Sequence, residues 1–359
     1  MNDNRVGIVL GTRPEIIKLS PVIRAAERRG IPFTLIHSGQ HYSEELDEVF
    51  FEDLKLPRPD YNLGVKSASH GKQTGEMLGG IEEVLLTEEP EVVLVQGDTN
   101  SVLAGAIATS KLAPELGHVE AGLRSYDRQM PEEINRVLTD HVSDYLFAPT
   151  EGAAANLHDE GIDDDRVFVT GNTIVDAVYE NREIATENSS VLSRLGFDEG
   201  EFVLMTAHRA ENVDDRERFV DLLRGAERVA TEFDLPVVYP IHPRAKERID
   251  GFDIVVPDAV ELIEPLDFLD FLRLEDAAAL VLTDSGGVQE ETCILGTPCV
   301  TMRDSTERPE TVEVGANVVV GTSPDAILDG AERMFDQVTE WSNPFGDGTA
   351  ADRILDTIG

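Results

Sequence analysis

The sequence has only two cysteines, few basic residues and no long apolar run, and each scarcity excludes a class of protein. Cys293 and Cys299 stand beside the apolar core of one segment, so buried thiols are expected rather than a disulfide framework. No apolar run reaches the length of about 18 residues that a membrane-spanning helix needs. The strand-like segment Arg5–Leu10 leaves no room for a secretory signal before it, so a cytoplasmic protein is expected.

Positive charge is the scarcest property of the chain. Its 30 Lys and Arg face 70 Asp and Glu, which gives a formal net charge of −40. Nucleic-acid binding needs a basic surface, so nucleic acid is excluded as a partner. Only 6 of the 30 basic residues are lysines. An acidic, lysine-poor surface is typical of a halophile's cytoplasm, where salt screens the self-repulsion, and we expect a halophilic protein.

Short β-rich runs alternate with helical patterns along the chain. A length of 359 residues favours two domains, and apolar strands between helices are typical of parallel sheets covered on both faces. Strands are predicted over 6–10, 33–38, 92–96, 145–148, 167–169, 202–206, 237–241, 254–256, 280–283, 299–302 and 318–320. Predicted helices include 21–29, 75–86, 132–143 and 216–233.

The strands fall into two sets, which the charge-rich stretch Asn181–Gly200 separates. We therefore predict an α/β protein with two Rossmann-like, doubly wound parallel-sheet domains over 1–180 and 181–342. Ligands in such domains bind at the carboxyl ends of the strands. Two facing domains place the predicted site in the cleft between them.

The segment ALVLTDSGGVQEET at residues 279–292 is the most informative one. An apolar run ends in Thr283-Asp284-Ser285-Gly286-Gly287, and a helix is predicted to follow with Glu290 and Glu291 in its first turn. Helix N-termini bind anions through free N–H groups, and glycines let a phosphate approach. A carboxylate there suits a ribose diol, so the pattern indicates a nucleoside diphosphate. An ordinary strand–turn–helix junction is the alternative.

Polar groups also follow the strands of the first half. Arg13 and Lys18 come after 6–10, where they suit a departing diphosphate but are equally explained as surface cations. Asp98 follows 92–96, where it either acts in catalysis or caps the next helix. A further carboxylate, Glu120, stands close to a glycine in HVEAGLR.

Two further pairs of residues stand out. Glu132 and Arg136 lie four apart on one predicted helix face, where an exposed ion pair is the simpler explanation. His208 and His242 both follow strands of the second half. A single histidine is usually structural, but two at equivalent strand ends indicate a ligand site, and we predict that both line it.

No cofactor is expected. Histidine and cysteine do not recur at metal-ligand spacings, and the sequence has no Walker A motif, so no metal site is predicted. The segment Val169–Thr173 holds a single glycine, so a dinucleotide fingerprint is also missing.

The motifs, taken in order, resemble those of a known family. GTRPEIIK, QGDT, HVEAGLRS, PEEINR, TGNT, AHRAEN, LTDSGGVQEE and TERPE together resemble the non-hydrolysing UDP-N-acetylglucosamine 2-epimerases, from about residue 6 to the end. The resemblance implies a GT-B-like architecture, shared with many glycosyltransferases. It also implies a C-terminal helix within 343–359 that packs back on the first domain, and a homodimer.

The resemblance further implies conversion of UDP-N-acetylglucosamine (UDP-GlcNAc) into UDP-N-acetylmannosamine (UDP-ManNAc) without a cofactor. The proton at C2 is not adjacent to a carbonyl, so the family eliminates UDP across C1–C2 to give 2-acetamidoglucal. UDP returns after a proton reaches the opposite face. This route needs groups that manage a proton on either face and cations that stabilise the departing diphosphate.

Site residues follow from the matching motifs. Asp98, Glu120 and Glu132 would serve proton transfer and the cation-like transition state, and His208 would act near the leaving group. The residues implied to bind UDP are Ser285, Gly286, Gly287 and, on the ribose, Glu291, with Arg13, Lys18, Arg136 and Arg308 around the anion.

One motif departs from the family pattern. Bacterial members with an allosteric substrate site carry Arg and Gln after a Gln-His pair, whereas Gln40-His41 is followed here by Tyr42-Ser43. Activation by a second UDP-GlcNAc is therefore not expected.

Three other functions compete with the epimerase. A UDP-sugar glycosyltransferase of the same architecture would share the glycine turn but would not require Asp98, Glu120 and Glu132 together. A hydrolysing relative would release free ManNAc. A nucleotide-sugar-binding protein would use the same turn without catalysis.

Overall fold

The computed structural model describes residues 5–39, 50–336 and 341–359, and the account below concerns these residues. The chain divides into two units. The first comprises Met1–Ala177 together with Phe345–Gly359, and the second comprises Val178–Pro344. The end of the chain therefore belongs to the unit in which the chain begins.

The first unit contains a seven-stranded parallel sheet with the order β3-β2-β1-β4-β5-β6-β7. Its strands are β1 Val6–Leu10, β2 Phe33–His37, β3 Tyr61–Asn62, β4 Val92–Gln96, β5 Glu115–Val119, β6 Tyr145–Ala148 and β7 Val167–Val169. The order reverses between β1 and β4, so their carboxyl ends lie side by side where ligands bind in sheets of this kind.

The second unit repeats this plan with six parallel strands in the order β10-β9-β8-β11-β12-β13. Its strands are β8 Val203–Thr206, β9 Val237–Pro240, β10 Val260–Ile263, β11 Leu280–Thr283, β12 Cys299–Thr301 and β13 Asn317–Val319. Here the order reverses between β8 and β11, which places the predicted glycine turn at that point.

Helices connect the strands of both sheets. In the first unit they are α1 Arg13–Arg29, α2 His70–Glu88, α3 Asn100–Thr109, α4 Pro131–Val142 and α5 Glu151–Asp159. The helix α6 Thr173–Asn188 runs from the first unit into the second. The second unit contains α7 Val191–Leu195, α8 Ala210–Val213, α9 Arg216–Phe233, α10 Pro243–Gly251, α11 Phe268–Ala277, α12 Gly286–Leu295, α13 Pro309–Glu313 and α14 Pro324–Asp336.

The last helix, α15 Ala350–Ile358, packs on the first unit. It buries Ile354, Leu355 and Ile358, and Arg29 of α1 donates to its backbone at Asp352. An amphipathic helix of this kind is stable because it buries its apolar face against another element.

One predicted strand is not formed, and the observed strands β3, β5 and β10 were not predicted. The predicted strand 254–256 is irregular, and Val255 is 90% exposed. The strand that pairs with β9 is Val260–Ile263 instead. The opposite error is β5, whose sequence ELGHV has no β-rich pattern and was not predicted. A side chain at Gly117 would come within 2.7 Å of Leu94 on β4, so close strand packing explains the glycine.

Two expectations about composition can be compared with the structure. Cys293 and Cys299 are free and buried, as predicted, and burial raises the pKa of each thiol to about 12. Within the described ranges no helix has both the length and the apolar character needed to cross a bilayer.

Candidate active site

Three loops of the first unit meet at the carboxyl edge of its sheet. They follow β1, β4 and β5, which are neighbours in the sheet. The loops carry Gly11–Thr12, Gly97–Thr99 and Glu120–Gly122. The fold thus brings Asp98 and Glu120, which are separated in the sequence, to adjacent strand ends.

Glu120 is held in place by two partners. The Lys18 ammonium lies 2.7 Å from each of its carboxylate oxygens, and the Gln96 amide donates to the Oε2 oxygen. The backbone of Glu120 has a φ of 71°, a left-handed conformation that a non-glycine residue rarely adopts. Side-chain exposure is 7% for Glu120 and 15% for Lys18. The carboxylate is therefore fixed before any ligand binds, and Lys18 is part of its support.

Asp98 is paired with Arg136. The Arg136 guanidinium donates to the Asp98 carboxylate and, at 2.7 Å, to Glu133. The alternative role of Asp98 as a helix cap is wrong, since Thr99 caps α3 by accepting from Ser101 and Val102. The Asp98 carboxylate is therefore not used to cap the helix, and it accepts from Arg136 instead.

Glu132 does not form the ion pair with Arg136 that its spacing allowed. It lies exposed in the first turn of α4 and lines a cavity of about 310 Å³. Gln73 and Asn100 line the same cavity, and the Asn100 amide donates to Gln73 at 3.1 Å. The cavity therefore has a carboxylate at its rim and amides in its wall, which suits a polar ligand.

Glu133, beside Glu132, was not singled out from the sequence. Its carboxylate accepts from the Ser125 N–H and hydroxyl and from the Tyr126 N–H, all at 3.0 Å, besides Arg136. Burial would raise the pKa of Glu133, but these donors outweigh it and lower that pKa. Glu133 thereby orients Arg136 toward Asp98.

Glu15 is a second residue that the sequence did not reveal. Its buried carboxylate accepts from the backbone N–H groups of Gly11 and Thr12 at 2.5 and 3.2 Å, and from the Thr99 hydroxyl. Glu15 therefore ties the loop after β1 to the loop that carries Asp98. Burial, only partly offset by these donors, raises the pKa of Glu15 from 4.5 to about 7.

The Glu15→Gln variant is expected to remove a pH dependence of stability. A carboxyl whose folded pKa is raised stabilises the fold at low pH and loses that contribution as pH rises through the folded value. Relative to Glu15→Gln, the wild type should lose about 3 kcal/mol of unfolding free energy between pH 4.5 and 8. Denaturant unfolding at fixed KCl measures the difference. Equal pH slopes would contradict it, and the exposed Glu83→Gln on α2 is the matched control.

In the second unit, His208 lies against a buried carboxylate. Its Nδ1 is 3.3 Å from Asp284, which also accepts from the backbone N–H of His208 and Arg209 and from the Asn212 amide at 3.0 to 3.1 Å. Asp284 is fully buried, whereas the His208 side chain is 40% exposed. A carboxylate at Nδ1 fixes the proton there and leaves Nε2 for a ligand.

His242 lies near His208, with ring centroids 5.6 Å apart. Its Nδ1 accepts from the Arg244 N–H and caps α10. Burial, followed by the neighbouring His208 and Arg244, lowers the pKa of His242. The structure therefore brings the two predicted histidines together, one with a capping role.

The glycine turn opens the helix α12. Its N-cap, Ser285, makes no side-chain cap hydrogen bond, so the N–H groups of the first turn are available to a ligand. A Cβ added at Gly286 or Gly287 would approach no protein atom closer than 3.9 Å, and neither glycine has a positive φ. Packing and backbone conformation therefore do not require these glycines.

The acidic residues after the turn lie in the second turn of α12, not in the first as expected, because the helix begins at Gly286. Arg308 pairs with Glu290 at 2.7 Å. The neighbouring Glu291 lies near the fully buried Glu275, and burial together with the charge of Glu291 raises the pKa of Glu275 well above its ordinary value.

Two further predictions concern Arg13, the first residue of α1, and the segment 40–43. The Arg13 guanidinium lies over the Phe50 ring, 5.3 Å from its centroid. The Gln40–Ser43 segment, on which the allosteric argument depends, lies outside the described residues.

The chain contains two Rossmann-like parallel-sheet units of the same plan, and polar candidate residues lie at the carboxyl ends of the strands in both. These features define an α/β protein of the GT-B-like class. A sequence model of the UDP-N-acetylglucosamine 2-epimerase family matches residues 24–359. The chain belongs to this family, and the resemblance seen in its motifs is confirmed.

Individual relatives agree. The UDP-N-acetylglucosamine 2-epimerase of Methanocaldococcus jannaschii is 53% identical over 98% of both chains. The solved structure of UDP-GlcNAc 2-epimerase from that organism matches with a TM-score of 0.91 and 51% identity over 99% of each chain. A crystal structure of the same organism's enzyme in complex with UDP-GlcNAc and UDP matches with a TM-score of 0.84 and 53% identity over 99% of each chain.

Proposed function

We propose that the chain interconverts UDP-GlcNAc and UDP-ManNAc by eliminating UDP to 2-acetamidoglucal and adding it back. The observation that carries this proposal is the placement of Asp98 and Glu120 at adjacent strand ends, each held by a cation. The M. jannaschii structure with UDP-GlcNAc and UDP supports the same ligands for this chain.

The first unit supplies the proton chemistry. A carboxylate removes the C2 proton as the C1–O bond to UDP breaks, and the electron pair of the C–H bond forms the C1–C2 double bond. In the return step, a carboxylic acid gives a proton to C2 on the opposite face, and a diphosphate oxygen attacks C1. Asp98, Glu120 and Glu132 share these proton transfers, which need a group on each face.

The second unit binds the nucleotide. The N–H groups of Gly286 and Gly287, with the Ser285 hydroxyl, hold the diphosphate, and Glu291 accepts from the ribose hydroxyls. His208, with Nδ1 at Asp284, gives or takes the leaving-group proton through Nε2. Further anion contacts are assigned to Arg13, Lys18, Arg136, His242 and Arg308, of which Lys18, Arg136 and Arg308 each have a carboxylate partner.

One experiment separates the epimerase from its alternatives. The protein is incubated with UDP-GlcNAc in D2O at high salt, without an acceptor, and followed by NMR. We expect UDP-ManNAc with deuterium at C2. Transfer only after an acceptor is added indicates a glycosyltransferase, free ManNAc a hydrolysing enzyme, and unchanged substrate a binding protein. Any of these three outcomes contradicts the proposal.

The chain is further proposed to be a halophilic, cytoplasmic protein. The net charge of −40 and the two buried free thiols support this assignment. Screening weakens strongly as salt falls, because the Debye length grows from about 3 Å at 1 M to about 10 Å at 0.1 M. We therefore expect the thermal midpoint Tm to fall by several degrees when KCl is lowered from molar to 0.1 M levels. Full stability in dilute buffer argues against a halophilic origin.

A homodimer is proposed as well. Apolar side chains are exposed around a cavity of about 440 Å³ beside α4, with Tyr126 73% and Leu138 44% exposed. Exposed apolar patches of this kind often lie in interfaces. Sedimentation at high KCl measures the mass, and a monomer at micromolar concentration contradicts the proposal.

A further inference from the structure

A buried histidine lies directly behind the two carboxylates of the first unit. His118 is the next-to-last residue of β5 and is fully buried. Its Nδ1 is 2.6 Å from the Asp140 carboxylate and its Nε2 is 2.8 Å from the Gly97 carbonyl oxygen. A carbonyl and a carboxylate only accept hydrogen bonds, so both ring nitrogens must donate. His118 is therefore an imidazolium.

The charges around His118 balance. Asp140 also pairs with Arg124 at 2.7 Å, and Arg124 pairs in turn with Glu160 at 2.7 Å. Burial alone would raise the pKa of Asp140, but His118 and Arg124 outweigh it and lower that pKa. Two cations thus face two carboxylates, so the imidazolium has a counter-ion in a site that excludes water.

This network reaches both loops that carry catalytic candidates. The Gly97 carbonyl, which accepts from His118, belongs to the peptide that joins Gly97 to Asp98. The Gly122 N–H donates to Asp140 at 3.2 Å, two residues after Glu120. The buried His118–Asp140 pair is therefore hydrogen-bonded to the turn that carries Asp98 and to the turn that follows Glu120.

We propose that His118 and Asp140 are positioning residues, which hold the backbone turns of Asp98 and Glu120 at a fixed separation. The inference rests on the proposed function. If His118 were neutral with its proton on Nδ1, its Nε2 lone pair would face the Gly97 oxygen, and the repulsion would displace the Asp98 turn. A displacement of about 1 Å is enough to lower turnover roughly a hundredfold.

Asp140→Asn leaves one acceptor oxygen where the carboxylate bonds to His118, Gly122 and Arg124 with two, so these contacts cannot all be kept. We expect kcat for epimerisation to fall by about thirtyfold to a hundredfold, while the Kd for UDP, bound by the second unit, changes less than twofold. The matched control is Asp144→Asn, which removes a carboxylate that accepts from the Leu116 N–H at the other end of β5. This control should keep kcat.

Nitrogen-15 NMR of histidine-labelled wild-type protein tests the protonation state without activity. We expect both ring nitrogens of His118 to carry a proton, as its two acceptor partners require, with the signal assigned by its absence in His118→Gln. One unprotonated nitrogen, or wild-type kcat in Asp140→Asn, overturns the proposal. A wild type without epimerase activity refutes the proposed function instead, and the NMR result still decides the state of His118. If Asp140→Asn does not fold, the wild-type spectrum alone decides.

Discussion

Asp98→Asn and Glu132→Gln should each lower the turnover of UDP-GlcNAc by roughly a hundredfold or more, as expected for the loss of an acid–base group. An amide keeps the size of the side chain but can neither accept nor deliver the proton at C2. The binding of UDP should change little, because the nucleotide is assigned to the second unit. The measurement is kcat by NMR, together with deuterium incorporation at C2.

Their structural settings make the pair informative. Asp98→Asn also weakens a contact with Arg136, whereas Glu132 is exposed and has no such ion pair, so its variant should leave stability unchanged. Glu83→Gln on α2 is the control for a general effect of removing charge. Wild-type rates in both variants would remove these residues from the mechanism.

Gly287→Ala should weaken UDP binding by about tenfold to a hundredfold without destabilising the fold. The added methyl group stands where the diphosphate is proposed to approach the N–H groups of α12, and charge-assisted hydrogen bonds of about 1.5 to 3 kcal/mol are lost. Within the protein the methyl group meets nothing closer than 3.9 Å. Alanine is a better helix former than glycine, so stability should rise by up to about 1 kcal/mol.

This prediction is specific because the affinity for UDP should fall while the free energy of unfolding should rise. Calorimetric titration with UDP measures the first quantity, and denaturant unfolding the second. Gly152→Ala is the matched control, because Gly152 is also in the first turn of a helix, α5, and an added methyl group there meets only the Thr150 hydroxyl oxygen, at 3.7 Å. It should raise stability in the same way and leave UDP affinity intact. Unchanged affinity in Gly287→Ala would place the nucleotide elsewhere.

Much of the fold could be predicted from the sequence, because parallel strands buried on both faces are continuous apolar runs. β1, β4 and β11 are such runs, and they match the predicted bounds. β5 could not be found in this way, since a glycine required by Leu94 and a buried histidine replace its apolar pattern. The error at 254–256 has the opposite cause. This triplet is apolar, but it forms no strand, and β9 pairs with β10 instead.

The candidate site was predicted by residue type but not by partner. Strand ends predicted Asp98 and His208, because ligands bind there in doubly wound sheets, whereas Glu120 was found beside a glycine in a family motif. The partners Gln96 and Asp284, and the approach of Glu291 to the buried Glu275, depend on long-range packing that no local spacing encodes. Spacing was misleading for Arg136, which bonds across the fold to Asp98 rather than to Glu132 along its own helix.

The Lys18–Glu120 pair has a practical consequence for chemical coupling. Five of the six lysines are exposed, namely Lys55, Lys66, Lys72, Lys111 and Lys246. The sixth amine is sheltered, clasped by both oxygens of a carboxylate. Amine-reactive resins, dyes or crosslinkers should therefore attach at these exposed lysines and leave the Lys18–Glu120 pair intact.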